Sequence, residues 1–184
     1  YICVIIDLFS RKVIAHKISK KNSTQLLTAT FKMAHEERHP PSGLIFHSDR
    51  GAQYTSHRFQ QLLHKYHTKQ SFSQPGKPHD NAVAESFFAS LKKEELYRKD
   101  HPSDRAFQAS IASYIEFYNT KRPHRTLKNL TPCQMEESCC ATVRATCRVL
   151  RGMCKAMHRS CKFSNALHRS EITGQSPENR FEND

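Results

Sequence analysis

Asp49 and Glu85 are two acidic residues whose side chains could act together in catalysis, and thirty-five residues separate them. Asp49 follows the apolar run 44–47 and enters a turn that contains Gly51. Glu85 lies in what the pattern predicts to be the first turns of a helix. Carboxylates on two different elements can converge, and hard oxygen ligands suit Mg²⁺ or Mn²⁺. In a chain with a formal net charge of +12, this predicts metal-dependent chemistry on a phosphodiester.

The elements that must position these carboxylates follow from the apolar pattern. The β-branched run 1–8 predicts a strand buried on both faces, and residues 13–18 predict its hairpin partner. Further elements are predicted as helices over 23–38, 56–67, 80–97 and 103–118 and as strands over 44–47 and 69–73. In the first helix, capped by Ser23 or Asn22, the residues at core-facing spacing are Leu26, Leu27, Thr30, Phe31 and Ala34. The order of elements predicts a mixed α/β domain, with a mobile loop over 74–79 before the helix of Glu85.

Three ordered motifs resemble those of a known family. They are His-Ser-Asp-Arg-Gly-Ala-Gln-Tyr-Thr-Ser over 47–56, Asp-Asn-Ala-Val-Ala-Glu-Ser-Phe-Phe over 80–88 and Tyr-Asn-Thr-Lys-Arg-Pro-His over 118–124. Together with the Asp-to-Glu gap, they are similar to the catalytic core of insertion-sequence transposases in the retroviral-integrase-like superfamily, whose members use an Asp, Asp, Glu triad. The resemblance covers residues 1–134, which we take as one catalytic core domain.

The resemblance implies a ribonuclease-H-like fold, a mixed sheet flanked by helices. It also implies an activity, DNA transposition by metal-dependent phosphodiester cleavage and strand transfer, with Asp49 and Glu85 as catalytic metal ligands for a two-metal Mg²⁺ or Mn²⁺ site. The first Asp of the triad belongs to a strand preceding Tyr1. We therefore expect a fragment that lacks its first strand and is weak or inactive alone. Asp7 could substitute as a ligand, but a role in the hairpin turn is the favoured interpretation.

Basic residues near the two carboxylates are candidates for DNA contact. Lys92 lies seven residues after Glu85, two turns on along the same helix face, and the family carries a basic residue there. Arg50, Lys77 and Lys93 are weaker candidates. Asp80 and Asn81 are predicted to cap the helix rather than to bind metal. The motif over 118–124 has no evident chemistry, and a structural role is favoured slightly over phosphate binding.

Charge and composition limit the classes of partner. The positive residues recur along the whole chain, which favours a polyanionic partner, and the resemblance implies transposon ends and target DNA bound by a homo-multimer. No apolar run approaches the roughly 18 residues of a membrane span, and no signal peptide is visible. We expect no membrane partner and a cytoplasmic, nucleoid-associated protein.

The last segment, 135–184, departs from the family pattern. Cysteines recur every seven residues at Cys133, Cys140, Cys147, Cys154 and Cys161. Such spacing cannot gather ligands around one zinc ion, but it can form a weak heptad stripe on a basic helix. A read-through or frame change into repeated DNA would produce the same period, and this is the favoured interpretation of the tail. Residues from Ser170 onward are polar and predicted to be disordered.

Two other functions compete with strand transfer. One is a non-catalytic DNA-binding remnant that keeps the fold and the basic surface. The other is a zinc hydrolase, because residues 35–39 satisfy H-E-x-x-H with His35, Glu36 and His39. Pro40 follows His39 directly, and no third ligand is evident downstream. A helix end is therefore the preferred interpretation of that motif.

Overall fold

The computed structural model describes residues 1–74 and 81–139 in full and the backbone of 162–168. Its centre is a five-stranded mixed sheet of order β2-β1-β5-β3-β4. β1 pairs in antiparallel fashion with β2 and β5, whereas β3 pairs in parallel with β4 and β5. The strands are β1 (Ile2–Asp7), β2 (Val13–Ile18), β3 (Ile45–Ser48), β4 (Lys69–Phe72) and β5 (Lys162–His168).

The helices cover both faces of this sheet. Two of them begin with a serine cap that accepts a backbone N–H: Ser23 bonds Leu26 at 3.2 Å, and Ser103 bonds Ala106 at 3.1 Å. The helices are α1 (Thr24–Arg38), α2 (Ala52–Thr55), α3 (His57–Lys65), α4 (Ala82–Leu91), a π-helical turn (Lys92–Leu96), α5 (Asp104–Thr120), a 3-10 turn (Arg125–Leu127) and a helical segment, α6, over 132–139. The predicted helices and strands therefore exist with bounds shifted by a few residues.

The alternation of side chains along β1 divides the core into two layers. Ile2, Val4 and Ile6 pack against α4 and α5, whereas Cys3 and Ile5 pack against α1 and α3. All six residues of β1 are buried, as predicted for a strand covered on both faces. The predicted inward residues of α1 are its buried residues: Leu26, Leu27, Thr30, Phe31 and Ala34. α4, which carries Glu85, therefore packs in the first layer, and β3, which precedes Asp49, packs in the second through Phe46.

α6 and β5, which lie at or beyond the end of the predicted core domain 1–134, both contact that domain. In α6, Glu136 accepts hydrogen bonds from Lys12 Nζ and Ser10 Oγ, both at 3.0 Å, and pairs with Arg38. β5 then supplies the middle strand, pairing with all six residues of β1 and with 45–47 of β3. The sequence patterns did not predict this strand. Three predicted segments lie outside the described residues: the loop over 75–80, the cysteine stripe from Cys140 onward and the polar residues from Ser170 onward.

Among the described residues, no helix combines the length and the apolarity needed to cross a bilayer.

Candidate active site

Asp49 is positioned by the strand that precedes it. β3 ends at Ser48, and its backbone pairing with β4 continues to that residue. Asp49 Oδ1 accepts the backbone N–H of Gly51 at 2.8 Å, which closes an Asx-type turn. A Cβ on Gly51 would lie 3.0 Å from Asp49 Oδ1 and 3.1 Å from Gln53 Oε1. The turn therefore leaves little space for any side chain at residue 51 and holds the half-buried carboxylate by a backbone contact.

The imidazole of His47 ties the ends of β3 and β4 together. Its Nδ1 lies 3.1 Å from Ser71 Oγ, and its Nε2 lies 3.1 Å from Ser73 Oγ. The Ser73 backbone N–H also donates to Ser48 O at 2.9 Å. Hydroxyl groups donate or accept, so either tautomer of the ring makes both bonds. The motif over 47–56 contains His47 but does not predict this bridge, because both serine partners lie outside the motif.

Glu85 lies in the first turn of α4 and is exposed. The apolar face of α4 anchors the helix in the core through Ala84, Phe87, Phe88 and Leu91. A carboxylate at this end of a helix is favoured by the partial positive charge of the unpaired N–H groups. Asn81 occupies the N-cap position, but its side chain makes no capping hydrogen bond, so the prediction that it caps α4 is wrong for its side chain. Asp80 lies outside the described residues.

The ligand types near Asp49 and Glu85 fit a hard divalent ion. Asn81 Oδ1 is buried without a hydrogen-bond partner among the described residues, and Asn81 precedes Glu85 by one helical turn. Carboxylate and amide oxygens are the donors that Mg²⁺ and Mn²⁺ prefer. Within residues 1–74 and 81–139, no three His, Cys, Asp or Glu side chains gather at one point. The described part of the chain therefore offers suitable oxygens on two separate elements rather than a complete ligand set.

Asp7 takes the structural role that was favoured for it. Its Oδ1 accepts the backbone N–H groups of Phe9 at 2.7 Å and Ser10 at 3.2 Å, which shapes the β1–β2 turn. Its Oδ2 lies 3.9 Å from Arg38 Nη2. Both carboxylate oxygens therefore have partners within the turn and on α1.

The basic candidates lie on two elements. Lys92 begins the π-helical turn directly after α4 and is half-buried, whereas Lys93 is exposed. Arg50 is exposed beside Asp49, in the turn after β3. Lys77 lies outside the described residues. The structure thus places one basic residue next to each carboxylate-bearing element and a second on the π-helical turn.

The motif over 118–124 fixes the end of α5 to the rest of the fold. Asn119 Oδ1 accepts the Val13 backbone N–H at 2.9 Å, and Asn119 Nδ2 donates to Val13 O at 3.0 Å. His124 packs edge-on against the Tyr118 ring with centroids 4.5 Å apart, and burial lowers the pKa of His124. These contacts support the structural interpretation of the motif.

The H-E-x-x-H sequence does not form a zinc site. α1 ends at Arg38, and His39 is its C-cap, with a left-handed backbone at φ 42° and ψ 53°. His35 packs instead against Tyr66, with ring centroids 4.4 Å apart. Burial lowers the pKa of His35. The two histidines therefore lack the continuous helix that the zinc motif requires, and the zinc-hydrolase interpretation is not supported.

The fold is that of a retroviral integrase catalytic core, which is ribonuclease-H-like. The chain is similar to the catalytic core domain of BIV integrase, with a TM-score of 0.60 and 19% identity over 77% of this chain and 88% of that one. It is similar to the HTLV-2 integrase catalytic core domain in complex with magnesium, with a TM-score of 0.53 and 21% identity over 73% of this chain and 84% of the other. At these identities, the likeness establishes the fold alone.

Sequence comparison gives the family. Residues 1–78 and 66–132 match two models of the integrase core domain. The chain is 41% identical over 139 residues to the transposase of insertion sequence IS904 from Lactococcus lactis, covering 74% of this chain and 54% of the relative. It is 39% identical over 137 residues to the transposase InsF of IS3A from Escherichia coli, covering 74% and 48%. The chain belongs to the integrase core family, as a catalytic core of the insertion-sequence transposase type. It spans about half the length of these relatives.

Proposed function

We propose that this chain serves DNA transposition, through metal-dependent phosphodiester cleavage and strand transfer. The observation that carries the proposal is the placement of Asp49 in a backbone-fixed turn at the end of β3 and of Glu85 on the first turn of α4. Membership of the integrase core family and the similarity to insertion-sequence transposases support it.

Asp49 and Glu85 would hold the metal, Mg²⁺ or Mn²⁺, in a two-metal site of the intact enzyme. Bound divalent ions activate the attacking oxygen and stabilise the leaving oxygen of the phosphodiester. The chain's own contribution is position: the Gly51 N–H orients the Asp49 carboxylate, and the buried face of α4 fixes Glu85. The magnesium complex of the HTLV-2 core supports the choice of ion.

DNA would be bound by Lys92, Lys93, Arg50 and Lys77. Arg50 lies beside Asp49 in the turn after β3, and Lys92 and Lys93 lie on the π-helical turn that follows the helix of Glu85, so their charges would lie near the phosphates on which the carboxylates act. The formal net charge of +12 adds a general attraction for DNA. Transposon ends and target DNA are the substrates that the family suggests, and a homo-multimer on DNA is the working form. Such a protein acts in the cytoplasm, at the nucleoid.

The proposal is tested by removing each carboxylate in the 184-residue chain. We expect Asp49→Asn and Glu85→Gln to weaken Mn²⁺ binding by about tenfold or more, because each removes a charged hard ligand. Calorimetric titration measures the affinity, and nicking of supercoiled plasmid in Mn²⁺ measures chemistry. Asp100→Asn, an exposed site with the same change in charge, is the matched control. Unchanged Mn²⁺ affinity in both variants would contradict the assignment.

A second candidate is a DNA-binding protein without catalysis. The described residues gather no three ligating side chains, which favours this alternative over an autonomous nuclease. The two candidates differ in one experiment: salt-sensitive DNA binding without metal-dependent nicking or strand transfer supports the non-catalytic role. Metal-dependent nicking that is lost in Asp49→Asn supports catalysis.

A further inference from the structure

The helix that carries Glu85 ends in a π-helical turn, Lys92–Leu96, rather than in regular α-helix. The Tyr97 backbone N–H donates to Lys92 O, five residues back, at 2.9 Å. Such single π turns are rare and concentrate at functional sites, because the widened turn is less favourable than α-helix and needs support from the surrounding structure. The turn contains both Lys92 and Lys93, so the contacts that support it also hold these two lysines in place.

Two consecutive carboxylates attach the turn to α5. Glu94 Oε2 accepts the Tyr114 hydroxyl at 3.0 Å, and Glu95 Oε1 accepts hydrogen bonds from Ser110 Oγ and Lys99 Nζ. Ser110 and Tyr114 are one turn apart on the same face of α5. Both carboxylates of the turn thus reach the same helix face, which fixes the rotation of the π-helical turn relative to α5.

Arg122 completes this attachment. Its Nε donates to Glu94 Oε2 at 2.9 Å and its Nη2 to Glu94 Oε1 at 2.7 Å, in a two-bond fork. Nη2 also lies 3.3 Å from Ser90 Oγ on α4, and the guanidinium lies 5.8 Å from the Tyr118 ring centroid. The hydrogen bonds from Arg122 lower the pKa of Glu94, and the bond to Glu94 raises the pKa of Arg122. The pair is therefore charged on both sides at neutral pH.

The base of Arg122 is itself fixed. Arg122 N–H donates to Phe117 O at 2.8 Å, and Asn119 bonds both backbone groups of Val13 on β2. The Arg122 side chain is only 25% exposed and the Glu94 side chain 30%. A mostly covered guanidinium with a bidentate carboxylate partner is suited to hold a neighbouring element in place, and less suited to bind a phosphate from solvent.

We propose that Arg122 and Glu94 are positioning residues that orient the π-helical turn so that Lys92 and Lys93 face DNA. The proposal rests on the proposed function, since it concerns the lysines assigned there to DNA. It gives the motif over 118–124 a role in DNA binding without direct contact: Arg122 acts through Glu94 on the turn. Lysine in place of Arg122 keeps the charge but cannot form the planar fork.

The direction in which Glu94→Gln changes DNA affinity distinguishes a positioning role from simple charge attraction. Glu94→Gln removes a negative charge, so Coulomb attraction alone predicts tighter DNA binding. We expect the opposite, a loss of about threefold or more in affinity for a short duplex, because the fork to Arg122 is lost. Glu116→Gln, an exposed site on α5 with the same charge change, is the matched control and is expected to bind DNA equally or slightly more tightly. Fluorescence anisotropy below the melting temperatures of all variants measures the affinity.

A second variant keeps the net charge constant. We expect Arg122→Lys to lower DNA affinity about as much as Glu94→Gln, and amide hydrogen exchange of residues 92–97 to become faster in both variants without DNA. Tighter DNA binding by Glu94→Gln, or unchanged exchange and affinity in both variants, would overturn the proposal. If either variant does not fold, the other decides, and circular dichroism verifies folding.

Lys92→Ala separates this inference from the function on which it rests. Loss of one phosphate contact is expected to reduce the slope of log affinity against log salt by about 0.9. If Lys92→Ala and Lys93→Ala both leave affinity and slope unchanged, the assignment of DNA contact to these lysines fails. If the lysine variants weaken binding but Glu94→Gln does not, only the positioning role of Arg122 and Glu94 fails.

Discussion

At the scale of single residues, Gly51 shows how space rather than backbone conformation can require a glycine. Its φ of −56° is accessible to any residue, but a Cβ would lie 3.0 Å from Asp49 Oδ1 and 3.3 Å from the Tyr54 ring. Gly43 is the opposite case, with a φ of +90° and nothing within 4 Å of a built Cβ. Two glycines close to the same strand therefore have different physical requirements.

These requirements give a paired prediction. We expect Gly51→Ala to displace the Asp49 carboxylate and to weaken Mn²⁺ binding severalfold, because the added methyl group contacts the oxygen that Gly51 N–H now holds. Gly43→Ala is expected to cost about 1 kcal/mol of unfolding free energy through its left-handed backbone while Mn²⁺ binding stays the same. Urea unfolding and calorimetric titration measure both effects. Equal Mn²⁺ affinity in the two variants would contradict this account of the turn.

The sequence predicted local features of the site better than distant ones. The turn of Asp49, the first-turn position of Glu85 and the hairpin role of Asp7 follow from neighbouring residues, and the structure agrees with all three placements. The partners of Asn119 and Arg122 lie 106 and 28 positions away, at Val13 and Glu94. No local pattern identifies such partners, because the tertiary fold alone brings them together.

At the scale of elements, α6 is fastened to the edge of the domain through one carboxylate. Glu136 accepts hydrogen bonds from Lys12 and Ser10 near the β1–β2 turn and from Arg38 on α1, and Asp7 Oδ2 lies 3.9 Å from the same Arg38 nitrogen. Burial alone would raise the pKa of Glu136, but the hydrogen bonds from Arg38 and Lys12 outweigh it and lower the pKa. The carboxylate is thus needed in its charged form.

This arrangement predicts a pH-dependent contribution to stability. Because the pKa of Glu136 is lower in the folded chain than its usual 4.5, its contribution is fully present above pH 4.5 and declines as the pH falls through the folded value. We expect Glu136→Gln to cost about 1–3 kcal/mol of unfolding free energy at pH 7 and progressively less at acidic pH. Urea unfolding across pH measures it.

The neighbouring residue supplies the control. Glu137 is exposed, and Glu137→Gln is expected to change the free energy of unfolding by less than about 0.5 kcal/mol at any pH. A cost at pH 7 that is the same for both variants would show that Glu136 does not fasten α6.

Local sequence patterns predict some helices and strands of this fold but not others. The main helices were predicted because caps and apolar periodicity are local, as in α1 and α5. The π-helical turn was predicted as plain helix, since its support comes from hydrogen bonds with α5 and an ion pair with Arg122. β5 was not predicted, because its mixed sequence, Lys-Phe-Ser-Asn-Ala-Leu-His, lacks β-branched residues and becomes a strand only between β1 and β3.

At the scale of the whole molecule, β5 joins the two halves of the sheet. β1 and β3 do not pair with each other; each pairs with β5 instead. We expect removal of residues 162–184 to abolish the cooperative thermal transition, because it would leave the backbone groups of two strands unpaired beside a packed core. Removal of residues 169–184 keeps β5 and is expected to leave the transition nearly unchanged. Circular dichroism melting of the two truncated chains tests this, and equal melting temperatures would contradict the role of β5.

The position of β5 also determines when the domain can fold during synthesis. The strand between β1 and β3 is the last described element of the chain, and its pairing with Ile2 joins positions 2 and 168. Chain-distant strand pairs form slowly, because a long loop must close before any contact is gained. Until residues 162–168 have been synthesised, the apolar residues of β1 lack the strand that pairs with them. Until β5 is in place, β1 and β3 each present an unpaired edge, and that is the interval in which the chain is most prone to aggregate.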